Sequence, residues 1–115
     1  MIRRQLPRVI IESPYAGDVE KNVAYARAAV RDSVLRGEAP IASHLLLTQP
    51  GILRDDVPEE RTLGIDAGHA WLHVANKVAV YADRGVSRGM ALGIERARFL
   101  GVPVEFRALD TTSTD

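Results

Sequence analysis

The chain has 115 residues, enough for one compact domain and too few for two. Fifteen Lys and Arg balance fifteen Asp and Glu, so no global pull toward nucleic acid or an anionic membrane is expected. A hydrophobic fraction of 46% with 26% charged residues predicts a folded, water-soluble domain, and the absence of cysteine excludes a disulfide framework, a thiol nucleophile and a Cys-based zinc site.

Arg3 and Arg4 read as a solvated N-terminal flank. Residues 9–12 form a short β-branched strand that stops at Ser13-Pro14-Tyr15-Ala16-Gly17-Asp18. Apolar residues then fall at Val19, Val23, Ala26, Val30 and Val34, which is helical spacing. Glu20, Lys21, Arg27, Arg31 and Asp32 occupy the exposed face, and Gly37 is the C-terminal stop. A second apolar run, residues 40–47, reads as a strand ending in His44 and Thr48 before Gln49-Pro50-Gly51.

Residues 52–57 are a polar connection. Asp56 with Glu59 has capping-box spacing, and Pro58 lies in the first turn of a helix predicted to bury Leu63, Ala67, Ala70, Trp71 and Val74. Residues 78–82 and 102–106 read as the third and fourth strands. Between them Asp83 ends a strand, Gly85 turns the chain, and Ser87 caps a helix with Gly89 in its first turn. Residues 1–110 are expected to be the single domain and 111–115 a frayed, disordered tail.

No apolar run approaches the roughly 20 residues that span a bilayer. The start lacks the apolar stretch of a signal peptide, so a cytosolic protein is the expectation. His69 and His73 are four apart, but the sequence supplies no obvious third ligand, and no metal is expected.

Strands alternating with helices predict an α/β domain with a mostly parallel sheet and crossover helices. Ligands of such sheets sit beyond the carboxyl ends of the strands, near the topological switch point. The polar residues that follow strands are therefore the candidates: Ser13, Tyr15, Gly17 and Asp18, then His44 and Thr48, then Asp83 and Ser87. Each has a plain structural alternative. Ser87, with Arg88 and Gly89, opens a helix whose free N–H groups suit a phosphate, or Ser87 is only the cap. Asp18 caps the first helix or binds a ribose; Tyr15 stacks on a base or packs on the sheet edge; His44 meets a ligand or is satisfied locally. Asp83 binds a sugar hydroxyl, acts as a general base or accepts hydrogen bonds in its own turn. Trp71 is core or a contact with a second copy.

The opening IIESPYAGD, the ASHLLL segment carrying the histidine, the AWLHVANKVAVYAD block, and SRGM followed by a helix and GVPVEF carry a further signal. In order and spacing they resemble the nucleoside 2-deoxyribosyltransferase-like superfamily, over nearly the whole chain. That group includes deoxynucleoside 5′-monophosphate N-hydrolases and small phage and bacterial domains. The resemblance implies a flavodoxin-like, Rossmann-like three-layer fold with a four- to five-stranded sheet, and a homodimer or higher homo-oligomer. It also implies chemistry at the N-glycosidic bond of a nucleoside or nucleotide, with no cofactor.

In that superfamily a glutamate near the start of the last main helix attacks the anomeric carbon, and a serine matching Ser87 holds phosphate. The position matching the glutamate is Gly93, and the nearest carboxylate is Glu95. Two residues along a helix is a rotation of about 200°. Glu95 is therefore either a displaced nucleophile or a partner of Arg98 or Arg88. An acidic residue three before the tryptophan is likewise replaced, by Gly68. The expectation is cleavage or exchange of the N-glycosidic bond of a (deoxy)nucleoside monophosphate, with Asp83 or Glu95 acting on the sugar. The rival reading is a non-catalytic module that captures a nucleotide or a nucleotide-derived signal.

Overall fold

The computed structural model describes residues 5–110, so the Arg3–Arg4 flank and the 111–115 tail lie outside the described residues. β1 (Arg8–Glu12) leads through α1 (Val19–Leu35) to β2 (Ala39–Ile41). The chain then passes α2 (Ser43–Leu46), α3 (Pro58–Ala70) and a one-turn 3-10 helix (Trp71–Val74) before β3 (Lys77–Tyr81). Finally α4 (Arg88–Phe99) leads to β4 (Val104–Arg107).

All described pairings are parallel, in the order β2-β1-β3-β4. Side chains alternate across the sheet. Val9, Ile11, Ala79 and Tyr81 pack with Tyr25 and Ala29 of α1 on one face. Ile10, Val78 and Val80 pack with Leu72 and with Met90, Ile94 and Ala97 of α4 on the other. The result is a three-layer, flavodoxin-like α/β sandwich. From the central pair the chain leaves in opposite directions, α1 toward β2 and α4 toward β4, which puts the switch point between the carboxyl ends of β1 and β3.

Three sequence expectations need correcting. Residues 40–47 are not one strand: β2 stops at Ile41, and Ser43–Leu46 is helical, with the N–H of Leu46 donating to the Ala42 carbonyl at 3.0 Å. Beyond Ile41 that run has no β-branched residue until Thr48 and no alternation, so nothing in it favours a strand. The helix after Pro58 is capped by Val57 without a side-chain bond, because Asp56 pairs with Arg54 at 2.9 Å instead.

The third correction concerns burial. Leu63 is 60% exposed, Trp71 50% and Val74 50%, and Ala67 and Ala70 are exposed too. The face turned inward carries Gly64, Ile65, Gly68 and Leu72. The reason is a close approach: a Cβ on Gly68 would stand 2.5 Å from the Ser43 Oγ. α1 is rotated in the same sense, burying Tyr25, Ala26, Ala29 and Ser33 while Val19 and Val34 stay exposed.

Candidate functional site

After Arg8 the strand β1 is apolar up to its last residue, Glu12, whose neighbour in register is Val80 of β3. Period-two alternation puts Glu12 on the face of Ile10, the face covered by α4. There it meets Gly93: a Cβ at that position would stand 2.1 Å from Glu12 Oε2 and 2.7 Å from Cδ. The glycine leaves the room that the carboxyl occupies. Among the described residues this carboxyl has no hydrogen-bond or ion-pair partner, and burial alone pushes it up to about 8. At neutral pH it holds its proton.

Glu12 opens onto a cavity of about 200 Å³ at the switch point. Next in sequence, the Ser13 hydroxyl lies 2.6 Å from His44 Nε2. The segment after β1 supplies the serine and α2 the histidine, and Thr48 steadies the turn by donating to the His44 carbonyl at 2.6 Å. Burial lowers His44 to about 4, so its imidazole is neutral at physiological pH. Tyr15 also lines the cavity. Its loop is pinned from α1, where Asn22 Nδ2 donates to the carbonyls of Tyr15 at 2.9 Å and Ala16 at 3.0 Å.

The far wall is the start of α4. Ser87, Arg88, Gly89 and Met90 all line the cavity. The Ser87 hydroxyl accepts from the N–H of Met90 at 3.3 Å, so it caps the helix as its position predicts. Arg88 forms no ion pair among the described residues. A Cβ on Gly89 would meet nothing within 4 Å, which leaves this turn's backbone open. The helix start therefore presents a positive dipole end and one guanidinium to the cavity. At the mouth, Arg61 pairs with Asp55 at 3.3 Å, and both residues also line a wider groove next door.

The structure thus brings Ser13, Tyr15, His44, Ser87, Arg88 and Gly89 to one cavity, and separates four other candidates from it. Gly17 lines only the outer groove. Asp18 caps α1, its Oδ1 accepting from the N–H of Lys21 at 3.2 Å. Asp83 is exposed and occupied elsewhere: it accepts from the Tyr25 hydroxyl and from the N–H groups of Leu109 at 3.2 Å and Asp110 at 3.0 Å. Partial desolvation would raise its carboxyl, but those bonds outweigh it and hold the group below its usual range. Its place is a tie between the end of β3, α1 and the chain after β4.

Glu95 is exposed on α4, about 200° around the helix from buried Gly93. Neither carboxylate expected to act on a sugar faces the cavity, and the one that does, Glu12, was not among the candidates. Its sequence signal is slight but physical: a carboxylate closing a central strand directly after the aliphatic run Val9-Ile10-Ile11. His69 on α3 also lines the cavity, lowered by burial and then by Arg96.

Residues 7–107 match the family described as Domain of unknown function (DUF7768), and the chain belongs to that family. Among solved structures it is similar to a 2-deoxyribosyltransferase from the psychrotolerant bacterium Bacillus psychrosaccharolyticus, with a TM-score of 0.61 and 18% identity over 94% of this chain and 77% of that one. At that identity the likeness establishes the shared fold. No curated protein matches the chain.

Proposed function

We propose that the cavity binds a nucleoside 5′-monophosphate and that the protein cleaves or exchanges its N-glycosidic bond. The observation that carries this reading is the composition of one cavity on a deoxyribosyltransferase-like fold. A carboxyl, a Ser–His pair, an aromatic ring and an open helix N-terminus meet at the switch point. The solved neighbour is described as a biocatalyst for the synthesis of nucleosides, which supports nucleoside chemistry here.

In this arrangement the first turn of α4 and Arg88 take the phosphate, and Tyr15 faces the base. Ser13 and His44 hold sugar hydroxyls with a neutral donor–acceptor pair. The exposed stripe of Leu63, Ala67, Ala70, Trp71 and Val74 is read as the contact surface of a homodimer.

Two measurements test the reading. A panel of nucleosides and their 5′-monophosphates is incubated with the protein, and free base is followed by chromatography. Binding of the same panel is measured by calorimetry. Arg88→Ala should weaken the monophosphate about 10- to 150-fold and leave the nucleoside nearly unchanged, since a charge-assisted contact contributes about 1.5–3 kcal/mol. Equal losses for both would remove the phosphate from the helix start. Tight binding with no base released from any compound would instead favour the non-catalytic module, the reading to which Gly93 and the exposed Glu95 point.

A further inference from the structure

We propose that Glu12 is the general acid of this site: its carboxyl protonates the departing base while Gly93 keeps the space in which that carboxyl stands. This rests on the N-glycosidic reading above and adds to it the identity of the proton donor.

Four observations support it. Glu12 ends a central strand at the switch point, where ligands of parallel sheets bind. Its carboxyl lines the cavity beside the Ser13–His44 pair. Among the described residues it has no partner, whereas Asp83 and Glu38 are each held by several bonds and serve the fold. A carboxyl left unpaired over an apolar sheet costs stability, and such a cost is commonly found where a neutral acid is wanted.

The fourth observation is Gly93. Any side chain there would overlap Glu12 Oε2 where it now stands, so the glycine on α4 is what lets the glutamate on β1 keep this position. The other charged or titratable groups on the cavity wall are Tyr15 from the loop after β1, His44 from α2, Asp55 from the connection before α3, Glu60, Arg61 and His69 from α3, and Arg88 from α4. Asp55 and Arg61 pair with each other, and Glu60 accepts from the N–H of Arg54 at 2.9 Å. Glu12 is the cavity carboxyl left without a partner among the described residues.

The step balances with water as the only co-reactant. The Glu12 carboxyl gives its proton to a ring nitrogen or carbonyl oxygen of the base. The C1′–N bond breaks, and its electron pair leaves with the base. Water adds to C1′ and returns a proton to Glu12, so that nucleotide plus water becomes base plus sugar phosphate.

The test compares two leaving groups with wild type, Glu12→Gln and Gly93→Ala. One substrate is a natural 2′-deoxynucleoside 5′-monophosphate. The other is 4-nitrophenyl 2-deoxyriboside 5-phosphate, whose phenolate departs without a proton. Glu12→Gln should lower release of the natural base by about 10²–10⁴-fold, and release of nitrophenolate by less than about tenfold. The wild-type rate on the natural substrate should fall above about pH 8, where Glu12 ionises, and the nitrophenyl rate should not.

Gly93→Ala forces the buried Glu12 carboxyl from its place, so it should fold with a lowered melting temperature and unchanged helix content by circular dichroism, and should lose base release. Equal loss of both substrates in Glu12→Gln, or natural base release that survives it, would overturn the assignment while leaving the N-glycosidic reading intact. If wild type releases nitrophenolate and no natural base, protonation by Glu12 is refuted. If it releases neither, the N-glycosidic reading fails first and takes the assignment with it.

Discussion

Glu12 and His44 titrate out of range in opposite senses, and the combination fixes how stability should vary with pH. The unfolded Glu12 carboxyl loses its proton near 4.5, and the folded one near 8. The Glu12 contribution is therefore fully present below about 4.5, declines as pH rises across that window, and levels off above it. His44 is lowered from 6.5 to about 4, so its contribution grows as pH rises through that interval and is lost on acidification. Between about 6.5 and 8 only the Glu12 decline remains, worth up to about 2 kcal/mol at 1.4 kcal/mol per pH unit. Urea denaturation of Glu12→Gln should show that decline abolished. An unchanged slope would mean the carboxyl is already ionised at neutral pH. Gly68 gives a second prediction of the same kind. Its missing Cβ lets α3 sit against Ser43, so Gly68→Ala should lower stability by about 1–3 kcal/mol in the same measurement.

Between the elements, close contact comes from small residues and hydrogen-bonded ones, and that limits what the sequence discloses. The strands at residues 9–12 and 78–82, the helix behind Asp18 and the helix behind Ser87 were legible from alternation, period and cap. The buried faces of α1 and α3 were not. A period of 3.6 selects the most apolar stripe, whereas α3 turns inward the stripe holding Gly64 and Gly68, and α1 the one holding Ala29 and Ser33. Small residues carry no hydropathy signal, yet they let the backbone approach most closely. Glu12 was missed for a related reason: its partner is an absence at Gly93, which only the folded chain reveals.

A second network joins elements away from the cavity. Arg107 of β4, 7% exposed, donates to Glu38 at 2.8 and 2.6 Å, and Ser33 of α1 donates to the same carboxylate at 2.7 Å. The guanidinium bond first, then the serine bond against an opposing desolvation, pulls Glu38 down to about 2. This contribution is present above about 4.5 and lost as pH falls toward 2, so it adds to acid unfolding. Glu38→Gln leaves the buried guanidinium with only the more exposed Glu105 carboxylate as counter-charge and should cost about 1.5–3 kcal/mol at pH 7. A loss below 0.5 kcal/mol would show the pair to be replaceable by water, on the scale of exposed pairs at about 0–1 kcal/mol.

On the scale of the molecule, the sheet order decides where chemistry can occur. It brings the ends of β1 and β3 and the start of α4 to one rim, while Asp83 and Glu95 are carried to solvent. The same architecture leaves the apolar stripe of α3 uncovered. If that stripe is the homodimer contact, Trp71→Lys should convert a dimer to a monomer in sedimentation equilibrium without lowering helix content by circular dichroism; a wild type already monomeric at high concentration would contradict it. No helix among the described residues is long and apolar enough to cross a membrane.

The most direct test is a time course of free nucleobase from purified protein and 2′-deoxynucleoside 5′-monophosphates at pH 7. At least one compound should give base and sugar phosphate in equal amounts, with the yield collapsing in Glu12→Gln. Intact nucleotide throughout, at enzyme concentrations approaching the substrate's, would contradict it.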